Sequence, residues 1–361
     1  MFATMLDNNL KTALNKRKYE DAFRSLTPSE GKVDFCSNDY LGFARKQHTI
    51  QAAAGSTGSR LISGHHYIYE EVEIQIASFH GMETALIFNS GYDANLGFFS
   101  TIPQKGDTVI YDQLCHASIR DGLRLGTARN FSFNHNDVDD LKKKIEQARG
   151  NVFVVVESVY SMDGDKSPLR QIDEVCRENE AYLVVDEAHA TGVFGPKGAG
   201  LCQDQHVNPF AKIHTFGKAL GCHGGAILGS QTLKEYLINF ARPFIYTTAL
   251  PPYSIAVIQE SYRSLTNCSE IDALHENIAF FNASFQHSSL IQSDSPIQCI
   301  VLGENEKTKS VAQKLQSKGM DVRPILSPTV SKGTERIRIS LHSFNSRDEI
   351  SLLCDELKIL I

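Results

Sequence analysis

The sequence predicts an α/β protein built around a mostly parallel sheet. Short apolar runs of strand length recur from about residue 85 onward, and amphipathic segments of helical period separate them. Polar residues follow several of these runs directly, at the strand ends where open α/β sheets gather their ligands.

Each element can be justified in chain order. Leu6, Leu10, Ala13 and Leu14 are apolar at three- and four-residue spacing, and a turn follows near Pro28, so residues 1–35 read as an arm. After Asn38-Asp39-Tyr40-Leu41-Gly42 comes Gly55-Ser56-Thr57-Gly58-Ser59-Arg60, which periodicity assigns to neither helix nor strand. Buried strands are expected at Ala85-Leu86-Ile87-Phe88, Thr108-Val109-Ile110-Tyr111, Val152 to Val156, Tyr182 to Val185 and Ala226-Ile227-Leu228. Val138, Leu141, Ile145 and Ala148 mark a helix between them. This alternation makes residues 36–252 one large domain. Pro251-Pro252 then opens a long helix into a smaller C-terminal α/β domain, residues 253–361, where Arg336-Ile337-Arg338-Ile339-Ser340-Leu341 alternates like a strand.

Composition narrows the function. A chain of 361 residues with 42% hydrophobic content and net charge −6 has neither a basic stripe for nucleic acid nor one for an anionic membrane. Lys142-Lys143-Lys144 reads as one solvated helix face. No apolar stretch is long enough to span a bilayer, and the N-terminus lacks a signal peptide's apolar core, so a cytoplasmic protein is expected. The eight scattered cysteines form no Cys-x-x-Cys pair, and no metal site is expected.

The run Tyr182-Leu183-Val184-Val185-Asp186-Glu187-Ala188-His189 puts a carboxylate at a strand end and a histidine three positions later. The letters Asp-Glu-Ala-His also form the magnesium box of a class of nucleotide-hydrolysing helicases. That reading needs a phosphate loop of the form G-x-x-x-x-G-K-[ST]; the chain offers only Gly31-Lys32 and Gly217-Lys218, neither followed by Ser or Thr. Standing alone, Asp186 leaves open the plainer reading that it merely caps a helix.

It does not stand alone. Further on comes His214-Thr215-Phe216-Gly217-Lys218-Ala219-Leu220-Gly221, a lysine flanked by apolar and small residues, where desolvation favours a nucleophilic amine. Pyridoxal phosphate accounts for both features: a buried carboxylate keeps its ring nitrogen protonated while a lysine holds its aldehyde as a Schiff base. Asp186 and Lys218 fit those roles. Asn89-Ser90-Gly91-Tyr92, directly after a strand, offers backbone N–H groups to the phosphate, and Thr215 offers a hydroxyl. His116, after the strand ending at Tyr111, is either an aromatic stacked on the ring or a satisfied core histidine.

Taken in order, these segments resemble the α-oxoamine synthases, a family of fold-type I pyridoxal phosphate enzymes with the aspartate aminotransferase-like architecture. The resemblance runs from about residue 10 to the C-terminus. It rests on Ser37-Asn38-Asp39-Tyr40-Leu41-Gly42, Asn89-Ser90-Gly91-Tyr92-Asp93-Ala94-Asn95, Ser161-Met162-Asp163-Gly164-Asp165, Val185-Asp186-Glu187-Ala188-His189, Thr215-Phe216-Gly217-Lys218 and Ile245-Tyr246-Thr247-Thr248-Ala249-Leu250-Pro251-Pro252.

The resemblance implies a set of roles. Lys218 forms the internal aldimine and moves the α-proton, Asp186 pairs with the pyridinium, and His116 stacks on the ring. Ser161 and His189 approach the phenolic oxygen, with His189 a candidate proton donor. Ser90, Gly91, Tyr92 and Thr215 hold the phosphate. Thr247 and Thr248 reach the phosphate of a neighbouring subunit, which implies a homodimer with shared sites. Arg338 grips the amino-acid carboxylate, with Asn38 nearby. Arg24, Arg323 and Thr329 resemble positions facing the acyl substrate, delivered on CoA or on a carrier protein. The implied reaction condenses L-alanine with a pimeloyl thioester to 8-amino-7-oxononanoate in biotin biosynthesis. Glycine C-acetyltransferase, 5-aminolevulinate synthase and serine palmitoyltransferase are the alternatives within the family.

Overall fold

A computed structural model describes residues 2–361, with residues 2–4 as backbone alone. The chain forms two compact units, one of residues up to Ser37 with Met162–Gly164 and Leu274–Ile361, the other of Asn38–Ser161 with Asp165–Ala273.

The N-terminal segment contributes a helix (α1, Phe2–Tyr19) and a two-residue strand (β1, Val33–Asp34) to the first unit. The expected helix is present, but Leu6, Leu10 and Leu14 are exposed on it.

The second unit is a seven-stranded sheet flanked by helices. In chain order it runs α2 (Tyr67–Phe79), β2 (Thr84–Phe88), α3 (Gly91–Phe99), β3 (Thr108–Asp112), α4 (Ala117–Leu125) and β4 (Arg129–Phe133). It continues with α5 (Val138–Ile145), β5 (Val152–Glu157), α6 (Leu169–Glu178), β6 (Tyr182–Asp186), β7 (Ala211–Thr215) and β8 (Gly225–Gly229). Spatial order is β2-β8-β7-β6-β5-β3-β4. Only β8 runs against its neighbours; the pairs β7/β6, β6/β5, β5/β3 and β3/β4 are parallel. This is the α/β fold the sequence predicts. All five expected strands of this sheet are found within a residue of their predicted bounds.

Two strands of the sheet were not expected. In β4 the sequence Arg-Asn-Phe-Ser-Phe lies at the sheet edge with only Phe133 buried, so it lacks the continuous apolar run of a central strand. In β7 the buried Lys212 and His214 interrupt the apolar pattern. The core lies between the sheet and its helices: Phe88, Val155, Val184, Ile213 and Ile227 pack with Phe98, Phe99 and Ile119. Each such side chain contributes about 1.5–3 kcal/mol by leaving water.

The first unit contains a four-stranded sheet of order β12-β13-β10-β9, formed by β9 (Leu290–Ile291), β10 (Ile297–Val301), β12 (Arg323–Ile325) and β13 (Arg336–Ser340), while β11 (Met320–Asp321) pairs with β1. The alternation predicted at 336–341 is therefore a strand. No described helix is long and apolar enough to cross a membrane.

Candidate active site

Parallel topology brings the ends of β2, β3, β5, β6 and β7 to one edge of the sheet, and one cleft opens there. It is lined by Gly91, Tyr92, Asn95, His116, Ser118, Glu157, Asp186, Ala188, Ile213, His214, Thr215 and Lys218. Six of these, namely Gly91, Tyr92, His116, Asp186, Thr215 and Lys218, are residues picked out by the sequence.

Each is positioned by its element. Ser90 caps α3: its Oγ accepts from the Asp93 N–H at 3.0 Å and donates to Asp93 Oδ2. Capping leaves other N–H groups of the first turn available at the positive end of the helix. Gly91 allows a close approach. A Cβ there would stand 3.0 Å from Thr215 Cβ and 3.1 Å from its Oγ1. A Cβ at Gly225 would meet the Gly91 nitrogen at 2.7 Å, so the helix start sits directly on β8. The Thr215 hydroxyl bonds Gly224 O at 3.3 Å, and the Tyr92 hydroxyl bonds Asp121 at 2.6 Å.

Asp186 ends β6 and is 5% exposed. Its Oδ1 accepts from the Ala188 N–H at 2.9 Å and its Oδ2 from Asn95 Nδ2 at 2.8 Å, which immobilises the carboxylate. Glu157 ends β5 opposite Asp186 in the ladder and is also buried. Its Oε1 receives the His116 backbone N–H at 2.5 Å. Burial, followed by the negative charge of Asp186, pushes the Glu157 carboxyl up to about 8. His116 is lowered from its ordinary value, first by burial and further by the Lys218 charge, against the pull of Asp186.

The other predicted residues of this unit lie outside the cleft lining. The Tyr40 hydroxyl donates to Asn38 Oδ1 at 3.1 Å and lies 2.8 Å from His189 Nδ1, so Asn38 and His189 share one hydrogen-bonded chain. Ser161 is half-buried in the turn beyond β5. Thr247 and Thr248 are tied to Asn89, whose Nδ2 reaches Thr247 Oγ1 at 3.0 Å and Thr248 O at 2.8 Å.

The remaining candidates belong to the first unit. Arg338 is buried on β13, with Nη1 donating to Ser340 Oγ at 3.0 Å. Arg323 faces it in the β12/β13 ladder and pairs with Asp321 at 2.7 Å. Arg24 Nη2 donates to Thr329 Oγ1 at 3.1 Å, joining two candidates 305 positions apart.

Glu157, Asn95, Ser118 and Tyr40 were not singled out by sequence reasoning. Glu157 had a usable signal: it terminates an apolar strand at the same sheet edge as Asp186. Asn95, midway along α3, and Ser118, in the first turn of α4, are neutral side chains, and only folding reveals their bonds. Among the described residues, no group of His, Cys, Asp or Glu is arranged to hold a metal ion.

Pyridoxal phosphate fits these residues. A fixed, buried carboxylate and a half-buried lysine line the same cleft as a helix start whose glycine leaves open the space a side chain would fill.

The family described as aminotransferase class I and II matches residues 30–357. An 8-amino-7-oxononanoate synthase of Emericella nidulans is 39% identical, the match covering 97% of this chain and 94% of the relative. One from Cellvibrio japonicus is 38% identical, covering 98% and 95%. The crystal structure of 8-amino-7-oxononanoate synthase from Francisella tularensis superposes with TM-score 0.78 at 30% identity, covering 92% of this chain and 97% of that one. The serine palmitoyltransferase of S. paucimobilis, solved with bound PLP and myriocin, gives TM-score 0.85 at 29% identity, covering 91% and 87%. The chain belongs to the class I and II aminotransferase family, with the fold-type I architecture.

Proposed function

We propose that the chain is an 8-amino-7-oxononanoate synthase that uses pyridoxal 5′-phosphate to join L-alanine to a pimeloyl thioester. Alanine Cα bonds to the acyl carbonyl carbon, the thiol of CoA or a carrier protein leaves, and the alanine carboxylate departs as carbon dioxide. The observation that carries this reading is that Asp186 and Lys218 line one cleft with the first residues of α3. The full-length relatives at 39% and 38% identity supply the choice of substrate.

When bound, the cofactor supplies an electron sink for the negative charge that develops at Cα. Lys218 would hold it covalently, and the lysine amine would move the proton at Cα. Asp186 would pair with the ring nitrogen and hold its proton, and His116 would lie beside the ring. Ser161 and His189 serve the phenolic oxygen, and His189 donates a proton to the acyl carbonyl. Ser90, Gly91, Tyr92 and Thr215 hold the phosphate. Thr247 and Thr248 serve the phosphate site of the second subunit in a homodimer. Arg338 takes the amino-acid carboxylate through a bidentate pair, and Asn38 is a further substrate-binding residue. Arg24, Arg323 and Thr329 face the far end of the acyl chain, where a cation suits a carboxylate.

A second reading, serine palmitoyltransferase, is favoured by the solved structures, but at 29% identity against 39% for the first. The two separate on substrate. L-alanine, glycine and L-serine are added one at a time to the yellow protein, and free thiol is then followed after pimeloyl-CoA. The expected result is a visible-band change with L-alanine and thiol release dependent on both substrates. A response to serine or glycine alone overturns the assignment.

A further inference from the structure

We propose that Asn95 and Ser118 are positioning residues that hold His116 as the neutral imidazole with its proton on Nε2. The inference follows from the direction of each hydrogen bond in one chain, whose members Asp186, Asn95 and Ser118 are buried and whose His116 ring faces the open cleft. Ser118 N–H lies 3.2 Å from His116 Nδ1, and a backbone N–H only donates. Nδ1 therefore presents a lone pair. Ser118 Oγ stands 2.7 Å from the same nitrogen and must give it the hydroxyl hydrogen. Its own lone pair is then free to accept from Asn95 Nδ2 at 3.0 Å. The same Nδ2 donates at 2.8 Å to Asp186 Oδ2, a carboxylate oxygen.

That last bond fixes the sense of the whole chain. Turning the Asn95 amide over would set its oxygen against the Asp186 carboxylate and the Ser118 oxygen. The observed orientation is kept although it leaves Asn95 Oδ1 buried without a partner. Donation runs outward from Asn95 Nδ2, to Asp186 on one side and through the Ser118 hydroxyl to His116 Nδ1 on the other. The tautomer is set by the bond at the opposite nitrogen, as is general for histidine. From the other side, Glu157 Oε1 grips the His116 backbone N–H at 2.5 Å. The charged groups around His116, namely Asp186, Lys218, Arg120 and Asp121, leave the effect of burial dominant, so the ring favours its neutral form. Without Asn95, the Ser118 hydroxyl loses the donor that fixes its orientation, and only the 3.2 Å Ser118 N–H still holds Nδ1 as an acceptor, so the Nε2-protonated form is less strongly favoured.

The part of this inference that concerns catalysis rests on the cofactor reading above; the tautomer does not. The test is a long-range 1H–15N correlation on the holoenzyme labelled with 15N-histidine, with the His116 signal assigned from His116→Gln. Wild type is expected to show Nε2 protonated and Nδ1 bare. In Asn95→Ala the pattern is expected to shift toward protonated Nδ1, with kcat lowered about tenfold and the amino-acid KM changed less than about twofold, the scale seen when a residue behind a ligand group is removed. Ser118→Thr, which keeps the hydroxyl, is expected to retain the wild-type pattern. A protonated Nδ1 in wild type overturns the proposal even if Asn95→Ala does not fold. So does an Asn95→Ala protein with unchanged pattern and kcat. A wild-type protein with bare Nδ1 and no covalently held cofactor would leave the tautomer standing and remove the functional reading instead.

Discussion

Asp186 can serve a ring nitrogen because the fold holds its charge still before any ligand arrives: one oxygen takes a backbone N–H and the other an amide hydrogen. Asp186→Asn keeps the shape and removes the charge, so the ring nitrogen would lose its proton. We expect kcat to fall by about a hundredfold or more, as when a preorganised electrostatic partner is deleted, with the covalent attachment at Lys218 retained. Steady-state kinetics beside borohydride trapping checks this. At this scale the sequence was informative where a chemically loaded letter followed a strand. Asp186, Lys218 and His116 were found that way. Asn95 and Ser118 were not, because an amide and a hydroxyl have no role until particular acceptors stand within 3 Å. Glu157 also ends an apolar strand but was passed over, and its burial is a product of packing.

At the scale of elements, the turn after β4 is pinned by His135 to the end of β3 and to the turn after β5. Its Nδ1 lies 3.0 Å from both Asp112 oxygens and its Nε2 lies 2.7 Å from Asp165 Oδ2. Burial alone would lower this histidine, but the bonds and charges of Asp112 and Asp165 raise it to about 10. Because the folded value lies above the ordinary 6.5, the clamp stabilises fully below that pH and its contribution disappears as pH rises through 10. His135→Gln is expected to lower Tm by about 5 °C near pH 6, a gap that closes toward pH 10.5. Thermal unfolding across pH checks this, and a pH-independent gap would contradict it. None of this was visible in the sequence, where Asp112, His135 and Asp165 lie far apart. The strands were legible because β2, β3, β5, β6 and β8 are apolar runs buried on both faces. Strands β4 and β7 broke that pattern, the first by edge exposure and the second by its buried Lys212 and His214.

For the whole molecule, the order β2-β8-β7-β6-β5-β3-β4 turns five separate strand ends into one cleft edge. Apolar runs predict strands but not their neighbours, so this convergence had to be seen. Arg24 meeting Thr329 across 305 positions is a second case: the resemblance named both, and only the fold joins them. The proposed homodimer with shared sites makes a prediction at this scale. Lys218→Ala subunits are mixed with Thr247→Ala/Thr248→Ala subunits, each inactive alone. Only the mixed dimer assembles one intact site, so about a quarter of wild-type activity is expected at equal mixing. Absence of recovery despite confirmed subunit exchange would mean the threonines act within their own chain.

The central claim is that Lys218 holds the cofactor against Asp186, and borohydride reduction followed by peptide mapping tests it most directly. The account predicts a pyridoxyl group on the peptide containing Thr215-Phe216-Gly217-Lys218, and none anywhere in Lys218→Ala. A pyridoxyl group on another lysine, or an unmodified wild-type chain saturated with pyridoxal phosphate, would contradict it.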